Sequence, residues 1–180
     1  MTLADPADDS EVEVTAAHEA ERTLIEGLFQ FYVYDFSELE PAHSSHFEPD
    51  LAGRFHQYEH LESYWREASR IPLIIRRRGR PVGFALVNAV SHSGARVDRN
   101  MAEFFVMRKH RRGGVASAAV RAILTRHAGR WEIAVAQRNL GARAFWPRAI
   151  AATPGVRGLT CLQAADGLWT GPIYSFNVEP

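Results

Sequence analysis

A chain of 180 residues with 46% hydrophobic and 23% charged side chains has the size and composition of one globular domain able to bury a full core. Lys+Arg and Asp+Glu balance at 21 each, but residues 1–50 hold 13 of the acidic side chains and a single Arg, which leaves 8 acidic against 20 basic in the remainder. No apolar run approaches the ~20 residues that span a membrane, and the dispersed arginines, without a recognition helix or aromatic ladder, argue against nucleic acid as a partner.

Taken in order, residues 1–10 are polar, carry Asp and Pro, and are expected to be disordered, with the folded domain running over 11–180. The acidic start lacks the basic and apolar regions of a signal peptide, so a cytoplasmic location is expected. Glu11-Val12-Glu13-Val14 alternates as a short first strand. Leu24, Leu28 and Tyr32, with Ile25, Phe29, Val33 and Phe36, repeat at four residues and predict a helix over about 17–36. Residues 41–53 read as loop, and Leu61, Tyr64, Trp65 and Ala68 suggest a second amphipathic helix. His56 and His60 stand at i, i+4 without a following Glu or a third ligand, so no metal site is expected. A hairpin follows over 73–90, turning at Gly79, and residues 91–100 form a polar loop.

The stretch that organises the chain is M-A-E-F-F-V-M-R-K-H-R-R-G-G-V-A-S-A-A-V, residues 101–120. An apolar strand runs into a basic glycine turn and then into helix-forming sequence that ends near Ala128-Gly129. Gly113 and Gly114 permit a positive φ and a close ligand, while the free N–H groups of the next helix face the turn, an arrangement that binds anions. A P-loop is excluded because no Lys follows the second glycine, and a dinucleotide fingerprint because the glycines are adjacent. Downstream, residues 131–136 read as a fifth strand. A helix begins near Leu140, and Pro147 is expected to kink it or stop it early. Residues 160–164 and 172–178, joined by an Ala165-Asp166-Gly167 turn, close the chain as a hairpin. Cys161 rules out an internal disulfide and reads as core filling in its strand.

Arg111, Gly114 and Ala116 form R-x-x-G-x-A, and Asn139-Leu140-Gly141-Ala142-Arg143-Ala144-Phe145-Trp146 follows at the right separation. Together these resemble the acyl-CoA signatures of the GNAT superfamily of N-acyltransferases, and the string A-E-F-F-V-x-R-K-x-R-R-x-G-V-A is similar to a group of uncharacterised bacterial acetyltransferases. The resemblance implies an α/β fold with a central mixed, mostly antiparallel sheet of about six to seven strands. About four helices would flank it, and a splayed strand pair would admit acyl-CoA. Acetyl-CoA would be the cosubstrate, with no metal, and a small-molecule or peptide amine the acceptor; a homodimer is compatible with the family.

By the same resemblance, the turn of Arg111, Arg112, Gly113, Gly114, Val115, Ala116 and Ser117 would hold the pyrophosphate. Backbone groups near Phe105, Val106 and Met107 would pair with the pantetheine arm, one N–H facing the thioester oxygen. Asn139, Ala142, Phe145 and Trp146 would flank the thiol end. Glu103, set among Ala, Phe and Val, is the candidate general base, since burial raises a carboxylate pKa toward the working pH; an edge or bulge position facing solvent or an arginine is the other reading. Trp146 stands where many relatives have a Tyr that returns a proton to the thiolate, which leaves Tyr32, Tyr34 and Tyr174 as replacements or solvent as the acid. A non-catalytic acyl-CoA-binding module on the same fold is the alternative function.

Overall fold

The computed structural model describes residues 11–56, 58–165 and 169–180. The expectation for residues 1–10 and the turn at Asp166-Gly167 lie outside them. Seven strands form one sheet: β1 (Val12–Ala16), β2 (Ile71–Arg77), β3 (Arg80–Asn88), β4 (Arg99–Val106), β5 (Gly129–Ala134), β6 (Val156–Ala165) and β7 (Thr170–Val178), in the order β1-β2-β3-β4-β5-β7-β6. Every neighbouring pair is antiparallel except β4 with β5. Among the described residues the α-helices are α1 (Arg22–Ser37), α2 (Ser63–Arg66), α3 (Val115–Arg126) and α4 (Leu140–Ala151). The fold is thus the mixed, mostly antiparallel α/β architecture that the family resemblance implies.

Two cores lie on opposite faces of the sheet, and the two-residue period of β3 feeds both. Phe84 and Leu86 join Ile25, Phe29 and Tyr64 on the α1 and α2 side, while Ala85 and Val87 join Ile123, Leu124, Trp131 and Ile150 on the α3 and α4 side. A strand covered on both faces reads as a continuous apolar run, as residues 82–87 do.

The lopsided charge is resolved by pairing along the chain. Glu21 meets Arg76, Glu11 meets Arg77 and Arg78, and Asp35 meets Arg108 and Arg111. The acidic first third therefore lies on the basic body.

Four local expectations are corrected. The second helix shrinks to α2, because only Leu61 and Tyr64 anchor it in the core and Glu67 leaves with extended dihedrals to pair with Arg70. The helix α3 caps at His127, so Gly129, with φ +125°, opens β5 instead of stopping the helix. The helix α4 runs on through Pro147 to Ala151. Proline takes the N–H that Arg143 O would receive, and the Tyr174 hydroxyl donates to that carbonyl at 3.4 Å. Finally, Cys161 is exposed, since β6 is an edge strand whose outer face meets solvent.

Candidate active site

Strands β4 and β5 pair only at Arg99 with Trp131 and Asn100 with Glu132, then diverge. Along its other edge β4 stays paired with β3 as far as Val106. The register slips there, because Glu103 faces Leu86 while Met101 faces Val87, so Ala102 is the extra residue of a β-bulge. The slip has a geometric effect: Asn100 and Glu103, an odd number of residues apart, project from the same face of the sheet, the one covered by α1 and α2.

The opened edge can be read from one hydrogen bond. Met107 N–H donates to Val82 O at 2.9 Å, and alternation along an antiparallel ladder then turns the backbone groups of Phe105 toward β3 and those of Phe104 and Val106 toward the gap. The sequence reading offered Phe105, Val106 and Met107 together, and here Met107 N–H is already committed. Val106 O is also taken, by Arg111 Nε at 2.7 Å, so Val106 N–H is the group that remains.

A cavity of about 910 Å³ passes through this gap, with Met101, Ala102, Glu103 and Phe104 as its floor. Tyr32, Phe36, Phe55 and Tyr58 wall one end, and Val135, Asn139, Ala142 and Trp146 line the other. Glu103 projects into the first end. The Tyr32 hydroxyl donates to its Oε2. Burial pushes the Glu103 carboxyl up to about 7, opposed by that hydrogen bond. Burial and the Glu103 charge raise the Tyr32 hydroxyl well above its usual value, which keeps it a donor.

Beyond β4, Gly114 takes φ +82° and caps α3, whose first bond runs from Ala118 N–H to Gly114 O. Among the described residues the N–H groups of residues 112–117 have no protein acceptor. A Cβ on Gly113 would meet nothing nearer than Arg77 at 3.8 Å, so the cradle is open to a large anion. Arg111 stands at the edge of this cradle and is held from the α1 side. Its guanidinium lies over Phe105 at 5.6 Å and pairs with Asp35, a carboxylate that it shares with Arg108, which ties the turn to α1. Arg112 is exposed and has no ion-pair partner among the described residues.

On α4, Asn139 spends its Oδ1 on Ala142 N–H at 3.0 Å and so caps the helix. Phe145 and Trp146 pack on Phe104 at 6.3 and 5.2 Å, Trp146 only 6% exposed. Phe145 also borders a hollow of about 350 Å³ with Ser117 and Ala149, between α3 and α4. Of the tyrosines offered as acids, Tyr34 is exposed and Tyr174 is turned to Arg143 O, whereas Tyr32 faces the cavity.

Sequence patterns did not reveal Tyr32 as the partner of Glu103, nor the polar group at the base of the cavity formed by Asn88 and Asn100. They also missed Glu132, fully buried, which accepts from His92 N–H at 2.5 Å and from the hydroxyls of Ser91 and Ser93. That carboxylate holds the loop that brings His92 to within 4.8 Å of Trp169. The one available signal was composition: Asn in a strand is depleted and calls for a reason.

Among the described residues, no helix is long and apolar enough to cross a membrane, and no cluster of three or more His, Cys, Asp or Glu side chains is placed to hold a metal. No match to the chain comes from the curated proteins. Solved structures with the same fold are numerous. An acetyltransferase from Thermus thermophilus superposes with a TM-score of 0.65 at 13% identity, over 93% of this chain and 97% of that one. Mycobacterium smegmatis RimJ, in complex with CoA-disulfide, gives 0.58 at 18% identity over 93% and 81%. Spermidine N-acetyltransferase from Vibrio cholerae, in complex with CoA and spermine, gives 0.57 at 12% identity over 94% and 96%. The sequence itself matches the Acetyltransferase (GNAT) family over residues 33–150, from α1 through the splayed pair to the end of α4, and the chain therefore belongs to that family of N-acetyltransferases.

Proposed function

We propose that this enzyme moves the acetyl group of acetyl-CoA to a primary amine of a small molecule or peptide by direct attack, with Glu103 as general base. The observation that carries this reading is a carboxylate raised to about 7 on the floor of a cavity that passes through the β4/β5 gap. Acetyl-CoA would supply the activated acetyl thioester and a thiolate leaving group.

The chain's own groups divide the remaining work. The N–H groups of residues 112–117, with the Arg112 charge, receive the pyrophosphate. The Phe104 and Val106 edge of β4 takes the pantetheine arm, and Val106 N–H is the donor available to the carbonyl oxygen. Asn139, Ala142 and Trp146 bound the same channel, and Phe145 packs on Phe104 behind them. Glu103 draws a proton from the acceptor ammonium, directly or through water, and a group poised near neutrality can both take that proton and release it. Tyr32 orients the Glu103 carboxylate. Trp146 is packed and does no proton transfer, so the departing thiolate, with a conjugate acid near ~8.5, is protonated by solvent.

The test is incubation of the purified protein with acetyl-CoA and a panel of alkyl, aryl and peptide amines, following free thiol and acetylated product by mass. Product formed in stoichiometry with thiol is expected. Binding of acetyl-CoA without product from any amine would leave the non-catalytic module as the function.

A further inference from the structure

The amides at the base of the cavity have a fixed direction. Val90 N–H donates to Asn88 Oδ1 at 3.0 Å, which identifies that atom as the oxygen, and Asn88 Nδ2 then donates to the Tyr64 hydroxyl at 3.2 Å. Asn100 Nδ2 donates to the same Asn88 Oδ1 at 3.1 Å. Asn100 Oδ1 is the end of this chain. It is buried and has no hydrogen-bond partner, in a residue only 1% exposed that lines the cavity. A buried carbonyl left unpaired keeps the full cost of its lost hydration, so this oxygen calls for a donor.

The bulge at Ala102 places that oxygen on the face from which Glu103 projects, three residues along β4. Three strand residues span roughly 10 Å, less the shortening at the bulge. The walls of the cavity that holds both residues include the rings of Phe29, Tyr32, Tyr58 and Trp169.

We infer that Asn100 is a specificity-determining residue, and that the acceptor is an amine on an apolar or aromatic body bearing a second hydrogen-bond donor, a hydroxyl or N–H, that binds Asn100 Oδ1 while the reacting amine lies at Glu103. This rests on the acetyltransfer reading of the same cavity. Asn100 Oδ1 is an acceptor only, so it selects a donor and gains nothing from an ether or a methyl group at that place. A site that buries such an atom discriminates against the analogue lacking the donor, because the oxygen is then left unpaired.

The experiment compares matched probes: phenethylamine against its para-hydroxy analogue, and hexylamine against its ω-hydroxy analogue. In the wild type the hydroxylated member of at least one pair should have the higher kcat/KM by roughly 10- to 100-fold. In Asn100→Leu the ratio of kcat/KM between the members of that pair should fall to near one, while the KM for acetyl-CoA stays near wild type; Asn88 Oδ1 keeps its bond from Val90 in that variant. Asn100→Val, which likewise has no acceptor, serves if the leucine variant does not fold. Thermal stabilisation of the CoA-saturated protein by each probe reads the same preference without turnover, so loss of catalysis alone would sink the acetyltransfer reading and leave this one testable. Equal treatment of both members of both pairs by the wild type, in rate and in stabilisation, would overturn the inference and leave a water as the partner of Asn100. So would a hydroxyl preference that survives in the variants.

Discussion

Glu103 shows how one residue's surroundings set its chemistry. Its carboxyl is raised to about 7 by burial, whereas in the unfolded chain it would titrate at 4.5. Folded protein therefore holds that proton more tightly than unfolded protein. The stability contributed by the protonated form is fully present below about 4.5 and is lost as pH rises through about 7. Two expected outcomes follow. Glu103→Gln, which still accepts from Tyr32, should gain melting temperature relative to wild type as pH goes from roughly 5 to 8, read by calorimetry at each pH. The same variant should lose roughly 10²–10⁴-fold in kcat with acetyl-CoA affinity little changed, and the wild-type rise of rate through an apparent pKa near 7 should disappear. A flat wild-type pH profile over that window would remove the base assignment. Tyr32→Phe takes away the bond that lowers the Glu103 pKa, so the midpoint of the profile should move upward.

At the level of elements, what was legible in the sequence is what local pattern encodes. The strand, glycine turn and helix over 101–120 were visible because each depends on neighbours in sequence: an apolar run, Gly114 at a positive φ, and Ala- and Val-rich helix-forming residues. Glu103 stood out for the same reason, as a lone acid in an apolar strand. What could not be read depends on contacts distant in sequence. Arg111 looked free for phosphate because Asp35, 76 residues earlier, is its partner. Pro147 reads from sequence as a kink or an early stop, and the helix continues past it beside Tyr174, a residue 27 positions later whose hydroxyl meets Arg143 O. That last pair gives a double-mutant test. If the tyrosine hydroxyl stands in for the missing N–H, Tyr174→Phe should cost about 0.5–1.5 kcal/mol in the wild type and distinctly less beside Pro147→Ala, which restores the helix's own donor. Equal costs in both backgrounds, measured by denaturant unfolding, would show that the two are independent. Because that hydroxyl is turned away from the cavity, Tyr174→Phe should also leave kcat unchanged.

Across the whole molecule, the sheet is two pieces joined by a short parallel seam. The strands β1 to β4 carry Glu103 and the α1 side of the cavity, β5 to β7 carry the α4 side, and only Arg99-Trp131 and Asn100-Glu132 register them to each other. A ligand lying in that gap touches both pieces, and its pyrophosphate end needs N–H groups that are aligned only when α3 is folded onto the sheet. Unfolded chain offers no such site, so coenzyme binding should add to stability by mass action: at about 100 times Kd the gain is about 2.7 kcal/mol. For a domain of this size that corresponds to a rise in melting temperature of roughly 5–10 °C. Gly114→Val gives the control. Gly114 holds φ +82°, so a branched side chain there strains the turn by about 1–2 kcal/mol and also occupies the approach of the pyrophosphate. The variant should melt a few degrees lower without ligand and show little or no further rise with acetyl-CoA. A full thermal shift in folded Gly114→Val would place the phosphates elsewhere. No shift in the wild type at millimolar acetyl-CoA would mean that the gap between β4 and β5 is not a coenzyme site at all.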